Sequence, residues 1–328
     1  PININVLLLF YVTMLSYLYI KNTSHIVYPS KSTVSFIVIK ILASIIMFAV
    51  LILPLFLQDK YTAISIAAYA GDNISHLELL KTVDNNGGYY YKPFTESRNI
   101  LFGNLSGYPQ GLHANIYIIK EAMQPIINVS SNYRFIMLFY IYCSALYISF
   151  CWLFVLATKN FIKKGLANSI PGLIMVLFLC TGLFFSLFAF GSQSQIASML
   201  LFLSILAFLS YSKNSKDLVN KQIYILLSLT VLVSISFTWL FLLPVAAITI
   251  GIVVLHDNIN GFIKKPKKYI SFILAAFAIL LFCIIQPIIQ IMYSDPTKLG
   301  IIESGLSLTP SILLTSAFVL IAMCSLFF

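Results

Sequence analysis

Charge is scarce in this chain. Asp, Glu, Lys and Arg make up 9% of its 328 residues, against 60% hydrophobic residues and a mean hydropathy of +0.95. Soluble domains carry about a quarter charged residues, so a soluble globular protein is excluded. The ten-residue alternation of a membrane barrel is missing as well. Arginine occurs only at Arg98 and Arg134. All of the cysteines (Cys143, Cys151, Cys180, Cys283 and Cys324) fall in apolar runs. That removes a disulfide framework, and a cysteine metal site, from the polar part of the chain. No phosphate-binding P-loop, dinucleotide fingerprint or nucleophile elbow is present. No ionisable residue lies in the middle of an apolar run; Lys40 and Arg134 stand at edges. Buried charges mark ion-coupled transport and proton relays, so their lack counts against a coupled transporter.

What is present is a series of apolar runs long enough to cross roughly 30 Å of hydrocarbon as helices. Backbone polar groups in lipid must be satisfied internally, so these runs must be helical. Nine crossings are expected, at 4–20, 34–57, 133–157, 170–190, 195–211, 223–238, 240–255, 269–292 and 310–328. The fold class is therefore all-α, a polytopic transmembrane bundle forming a single domain over 1–328. The chain opens at Pro1 and closes inside an apolar run, so truncation at both ends is expected, with a further helix before Pro1. No signal peptide can be assigned.

The connectors at 21–40, 159–168, 211–222 and 256–269 are rich in lysine and hold only Asp217 and Asp257 as acids. The net charge of +10 thus sits on one face, which the positive-inside rule makes cytoplasmic, and it signals topology rather than nucleic acid. This orientation requires 223–255 to fold back on itself, with a tight hairpin near Thr238 and Trp239; Pro244 is compatible with a bend there. It also places 58–132 outside, as one long outer loop carrying short interfacial helices. The GSQSQ turn (191–195) falls on the same side.

That loop is the only extended stretch without membrane-grade hydrophobicity, and it holds two of the four histidines. GDNISHLELLKTV (71–83) reads as a short helix, with Leu77, Leu79, Leu80 and Val83 on one apolar arc. Asp72 and His76, four residues apart, fall inside that arc. Two readings stand. Asp72 is the helix N-cap with His76 bonded to backbone, or Asp72 is a general base whose protonation is tuned by burial and His76. GYPQGLHAN (107–115) reads as a turn opening a second helix, from about Leu112 to Ile127, that lies on the bilayer. His113, Tyr117 and Lys120 share its polar flank, with Ile116, Ile119 and Met123 on an apolar one. Asp72, His76 and His113 form only a weak divalent-cation set, lacking motif spacing, so no metal or other cofactor is expected. Arg98 is a candidate for a lipid phosphate, because its planar fork matches phosphate oxygens; Lys92 and Lys120 are weaker ones.

A helix, then an outer loop opening with GDNISH (71–76), then YPQGLH (108–113) before the next crossing resembles the GT-C superfamily of integral-membrane glycosyltransferases. The closest likeness is to bacterial members of that superfamily, and it covers about residues 34–260. The resemblance implies an enzyme of the bacterial cytoplasmic membrane. Its donor would be a polyprenyl-phosphate-linked sugar and its acceptor a glycan, lipid or protein on the outer face. It also implies that Asp72 deprotonates the acceptor hydroxyl, with His76 orienting it. Tyr108 and His113 would line the pocket, and Arg98 and Lys120 would hold substrate. Asn73 stands where several branches of the superfamily have a second acid, which argues against a paired-acid mechanism. Competing readings are a lipid-linked glycan polymerase or flippase, and a non-catalytic glycan-binding membrane component.

Overall fold

The computed structural model describes residues 31–69, 71–91, 107–124, 132–158, 183–264 and 266–293. Among them every regular element is a helix and none is a strand. The helices are α1 (Lys31–Phe56), α2 (Lys60–Tyr69), α3 (Gly71–Asn86), α4 (Gly111–Met123), α5 (Asn132–Thr158), α6 (Leu183–Ala189), α7 (Gln193–Asn214), α8 (Leu218–Thr238), α9 (Leu243–Lys264) and α10 (Ile270–Tyr293). The chain divides into two compact units, Pro1–Met47 and Phe48–Phe328. The described part of the first is the beginning of α1, and the helices from α2 onward all belong to the second.

Among the described residues four segments are long and apolar enough to cross a membrane: Tyr133–Leu153, Gln193–Asn214, Leu218–Thr238 and Lys267–Tyr293. The shortest of them would extend about 31 Å at 1.5 Å per residue. Ile41–Phe56 and Leu240–Leu255 are shorter apolar helices. The expected crossings at 4–20 and 310–328 lie outside the described residues, as does most of 170–190. α7 packs between α5 and α8, and α8 also meets α9 and α10. α10 buries Phe272, Cys283 and Gln286 and leaves Ile273, Leu274, Phe277, Leu281, Ile284 and Ile288 exposed. A helix apolar on its outer side is what lipid surroundings require.

The apolar stretch 223–255 breaks where the charge pattern demands. α8 stops at Thr238, Trp239 is extended at φ −161° and ψ 109°, and a short 3-10 turn leads into α9. α8 starts earlier than its hydropathy indicates because Asp217 caps it, accepting from the Val219 and Asn220 amides at 3.3 Å each. Replacing Asp217 with alanine should lower stability by about 1 kcal/mol in equilibrium unfolding, the ordinary worth of an N-cap.

Among its described residues the polar interlude is mostly helix. Asp59 opens α2 by accepting from the Tyr61 and Thr62 amides (2.9 and 3.1 Å) and the Thr62 hydroxyl (2.5 Å). These bonds hold its carboxyl below the usual carboxylate range. The next helix follows almost at once. Asn73 donates its side-chain amide to the Ala67 carbonyl at 3.0 Å, satisfying an acceptor in the last turn of α2.

Candidate functional site

α3 buries a stripe of Asn73, His76, Leu79, Leu80, Thr82 and Val83. Of the expected apolar arc Leu79, Leu80 and Val83 are buried and Leu77 is half-buried, while Thr82, expected on the opposite side, is buried. Asp72 lies just off that stripe and is exposed. It sits within the first turn rather than before it, and among the described residues its carboxylate takes part in no capping bond or ion pair. Partial burial nevertheless raises its pKa above the ordinary carboxylate value.

The first turn of α4 is buried on all sides, through Gly111, Leu112, His113 and Ala114. His113 is therefore enclosed, not on a solvated flank. The flank that carries His113, Tyr117 and Lys120 is the one that meets α3. His76 Nδ1 lies 3.0 Å from His113 Nε2, and Lys120 forms an ion pair with Asp84 at the far end of α3. Since 76 pairs with 113 and 84 with 120, α3 and α4 run parallel. Lys120, a candidate substrate ligand, also stands 3.7 Å from Glu121 and 5.1 Å above the Phe135 ring. The structure thus gives it carboxylate and aromatic partners about two helical turns from His113. Arg98 and Lys92 lie outside the described residues.

Burial holds His76 down at about 4 and His113 well below its usual value, so both imidazoles are neutral. A neutral ring has one N–H, and this fixes the direction of the chain. The Gly191 backbone favours a proton on His76, which assigns that proton to Nε2 and leaves Nδ1, the atom facing His113, to accept. His113 Nε2–H donates to it, leaving His113 Nδ1 as a buried acceptor with no hydrogen-bond partner. The two histidines therefore tie α4, α3 and the turn before α7 into one directional array.

Over this array sits Tyr108. Its ring meets His76 edge-on at 6.0 Å and His113 at 6.3 Å, and the His76 ring also lies 6.4 Å from Phe139. Burial pushes the Tyr108 phenol up to about 12, and the Asp72 carboxylate adds a smaller push in the same direction. Asp72, His76, Tyr108 and His113 are thus brought together. Among the described residues no three acidic, histidine or cysteine groups cluster as metal ligands. The two imidazoles engage each other directly.

Sequence reasoning missed the residues that hold the array. Gln110 precedes α4 without capping it. Its amide instead accepts from the Tyr90 N–H (2.8 Å) and donates to the Tyr90 carbonyl (2.5 Å). Gly191 is legible only as a turn residue. It has φ +83°, and a Cβ there would meet the Asn73 amide nitrogen at 2.8 Å and Asn73 Oδ1 at 2.9 Å. Gly191→Ala should therefore lose at least about 2 kcal/mol from left-handed strain alone, measured by unfolding in micelles. Gly111 similarly lets α4 approach the end of α8, where a Cβ added to it would stand 2.7 Å from the Phe237 carbonyl oxygen. The turn itself is read from GSQSQ, a polar break inside an otherwise apolar stretch; its contact with Asn73 is not.

No family model, no curated protein and no solved structure matches this chain.

Proposed function

We propose that this chain is a membrane glycosyltransferase of the GT-C kind, using Asp72 as general base. The observation that carries the proposal is the state of the Asp72 carboxylate. It caps nothing and pairs with nothing among the described residues, and its pKa is raised. It also stands beside a phenol held over a rigid, neutral two-histidine array. A surface acid without a partner would ordinarily be fully solvated, whereas a tuned acid on a fixed frame suits proton abstraction.

The acceptor hydroxyl oxygen attacks the anomeric carbon of a polyprenyl-phosphate-linked sugar. Its proton passes to Asp72, and the bond to the phosphate oxygen breaks, with polyprenyl phosphate leaving as the anion and configuration inverting. Tyr108 borders the reacting groups. His76 and His113, sealed away from solvent, orient α3 rather than touch substrate. Arg98 is proposed as a phosphate ligand. The nine crossings, the outward placement of 58–132 and the bacterial cytoplasmic membrane belong to the same proposal, with the acceptor on the outer face. Gln286, one of the few polar groups in the crossings, is engaged with Tyr91 and Gly107, which gives a flippase cavity little to be built from.

The decisive test supplies the full chain in proteoliposomes with radiolabelled polyprenyl-phosphate hexoses and a glycolipid extract. Label moving from the lipid carrier to an acceptor is the expected result. Absence of both transfer and retention, for every donor tried, would overturn the proposal.

A further inference from the structure

Three consecutive tyrosines follow α3, in a segment that is held unusually firmly. Gly87 (φ +67°) and Gly88 (φ +155°) turn the chain out of the helix. Tyr90 then points inward onto Leu79 and Tyr108. Both of its backbone groups are taken by the wholly buried Gln110. Tyr91 donates its hydroxyl to Gln286 Oε1 at 2.8 Å, while Gln286 Nε2 donates to the Gly107 carbonyl at 3.2 Å. Gln286 too is fully buried, on α10. Tyr89 and Tyr91, alternating with Tyr90 along the extended chain, are stacked on one another. Their planes are 14° apart and their centroids 5.9 Å. Phe237 abuts Tyr89 edge-on, and Tyr293 lies beyond Tyr91. Yet Tyr89 remains 48% exposed.

We infer that Tyr89 and Tyr91 form a platform for a pyranose ring of the glycan this enzyme handles. The inference rests on the proposed function for the source of the sugar, but the platform's chemistry is its own. One face of a pyranose presents axial C–H groups, slightly positive, which suit the negative face of an aromatic ring. Its rim presents hydroxyls; here the Tyr89 phenol can donate and accept, and the Tyr91 oxygen, its proton committed to Gln286, can accept. Tyrosines at helix ends are also common membrane anchors. An anchor needs no fixed geometry, however, and two buried glutamine amides used to immobilise three residues are costly unless that geometry matters. The platform adjoins the site because Tyr90, between its two rings, rests on Tyr108.

The test uses the full chain in nanodiscs, with methyl glycosides of glucose, mannose, galactose and N-acetylglucosamine as probes. Saturation-transfer NMR should show contact on one face of at least one pyranose. Tyr89→Ala should reduce that signal by at least about fivefold, the scale of an aromatic contact. Tyr89→Phe and Asp72→Asn should retain it. In transfer assays Tyr89→Ala should raise KM with kcat little changed, and whether the donor or the acceptor KM moves tells which sugar sits there. Equal signals in wild type and Tyr89→Ala, or none for any glycoside, would overturn the platform. So would a Tyr89→Ala protein that leaves the bilayer more readily while sugar contact is unaltered. Glycoside contact in a protein without transferase activity would instead sink the proposed function and leave the platform standing.

Discussion

Asp72→Asn is expected to lower sugar transfer by roughly 10²–10⁴-fold, the range over which a positioned general base contributes, while the protein still inserts and folds. The folding half of that expectation follows from where the side chain stands. It is exposed, with no bond among the described residues that anchors a helix end, so an isosteric amide disturbs little. The catalytic half follows from protonation. Only the carboxylate accepts a proton, and an amide in its place keeps shape and loses basicity. Because burial raises the Asp72 pKa, transfer in the wild type should climb with pH through a value above 3.8. Tyr108, with a phenol pushed up to about 12, stays protonated throughout that climb and adds no limb of its own. Radiolabel transfer by wild-type and Asp72→Asn protein, each compared over pH 4 to 8, checks both statements. Undiminished transfer in the variant would remove Asp72 from the chemistry.

How much of this is legible in the sequence depends on which physics each feature obeys. The helical character of the apolar runs follows from the cost of unpaired backbone groups in lipid, and the break at Trp239 follows from the lysine pattern alone. The stripe on α3 is also readable, because burial repeats at helical spacing. Pattern does not resolve the N-cap reading of Asp72, since Asp is equally at home before a helix and in its first turn; only the backbone decides. The flank of α4 that carries His113 looks solvated from its polarity. Periodicity reports which residues share a face but not what that face meets, and here it meets the polar residues of α3. Hydropathy conceals α2, although Asp59 followed by Tyr61 and Thr62 is a capping signal. Gln110 and Gly191 act on residues far away in sequence, through Tyr90, His76 and Asn73, and no local pattern carries such contacts. Arg98 lies outside the described residues, so its part in the site remains a proposal.

Lowering the pH from neutrality should destabilise the protein through His76 and His113, well before its carboxylates are titrated. In the folded chain His76 is held at about 4 against an ordinary 6.5. Between those values the unfolded chain binds more protons, so unfolding becomes easier as pH falls. The stabilisation is fully present above 6.5 and is lost on descent through the window. From pH 6.5 to 5 the loss through His76 is roughly 2 kcal/mol, at 1.36 kcal/mol per pH unit and one proton. His113, depressed by burial and by His76, adds in the same direction. Among the charged groups near the array, Asp72 acts in the opposite sense. Its raised pKa lets the folded state hold a proton longer, but its exposure weakens that contribution. Asp59, depressed below 3.8, titrates beneath the window. Unfolding in mixed micelles at pH 7, 6 and 5 measures the slope directly. His76→Gln cannot be charged, so the variant should start less stable at pH 7 and show a flatter dependence by about one proton. A variant that lost stability without flattening the slope would mean that His76 already carries its proton in the fold. Its Nδ1 would then be a donor toward His113, and the direction of the hydrogen-bond array would be reversed.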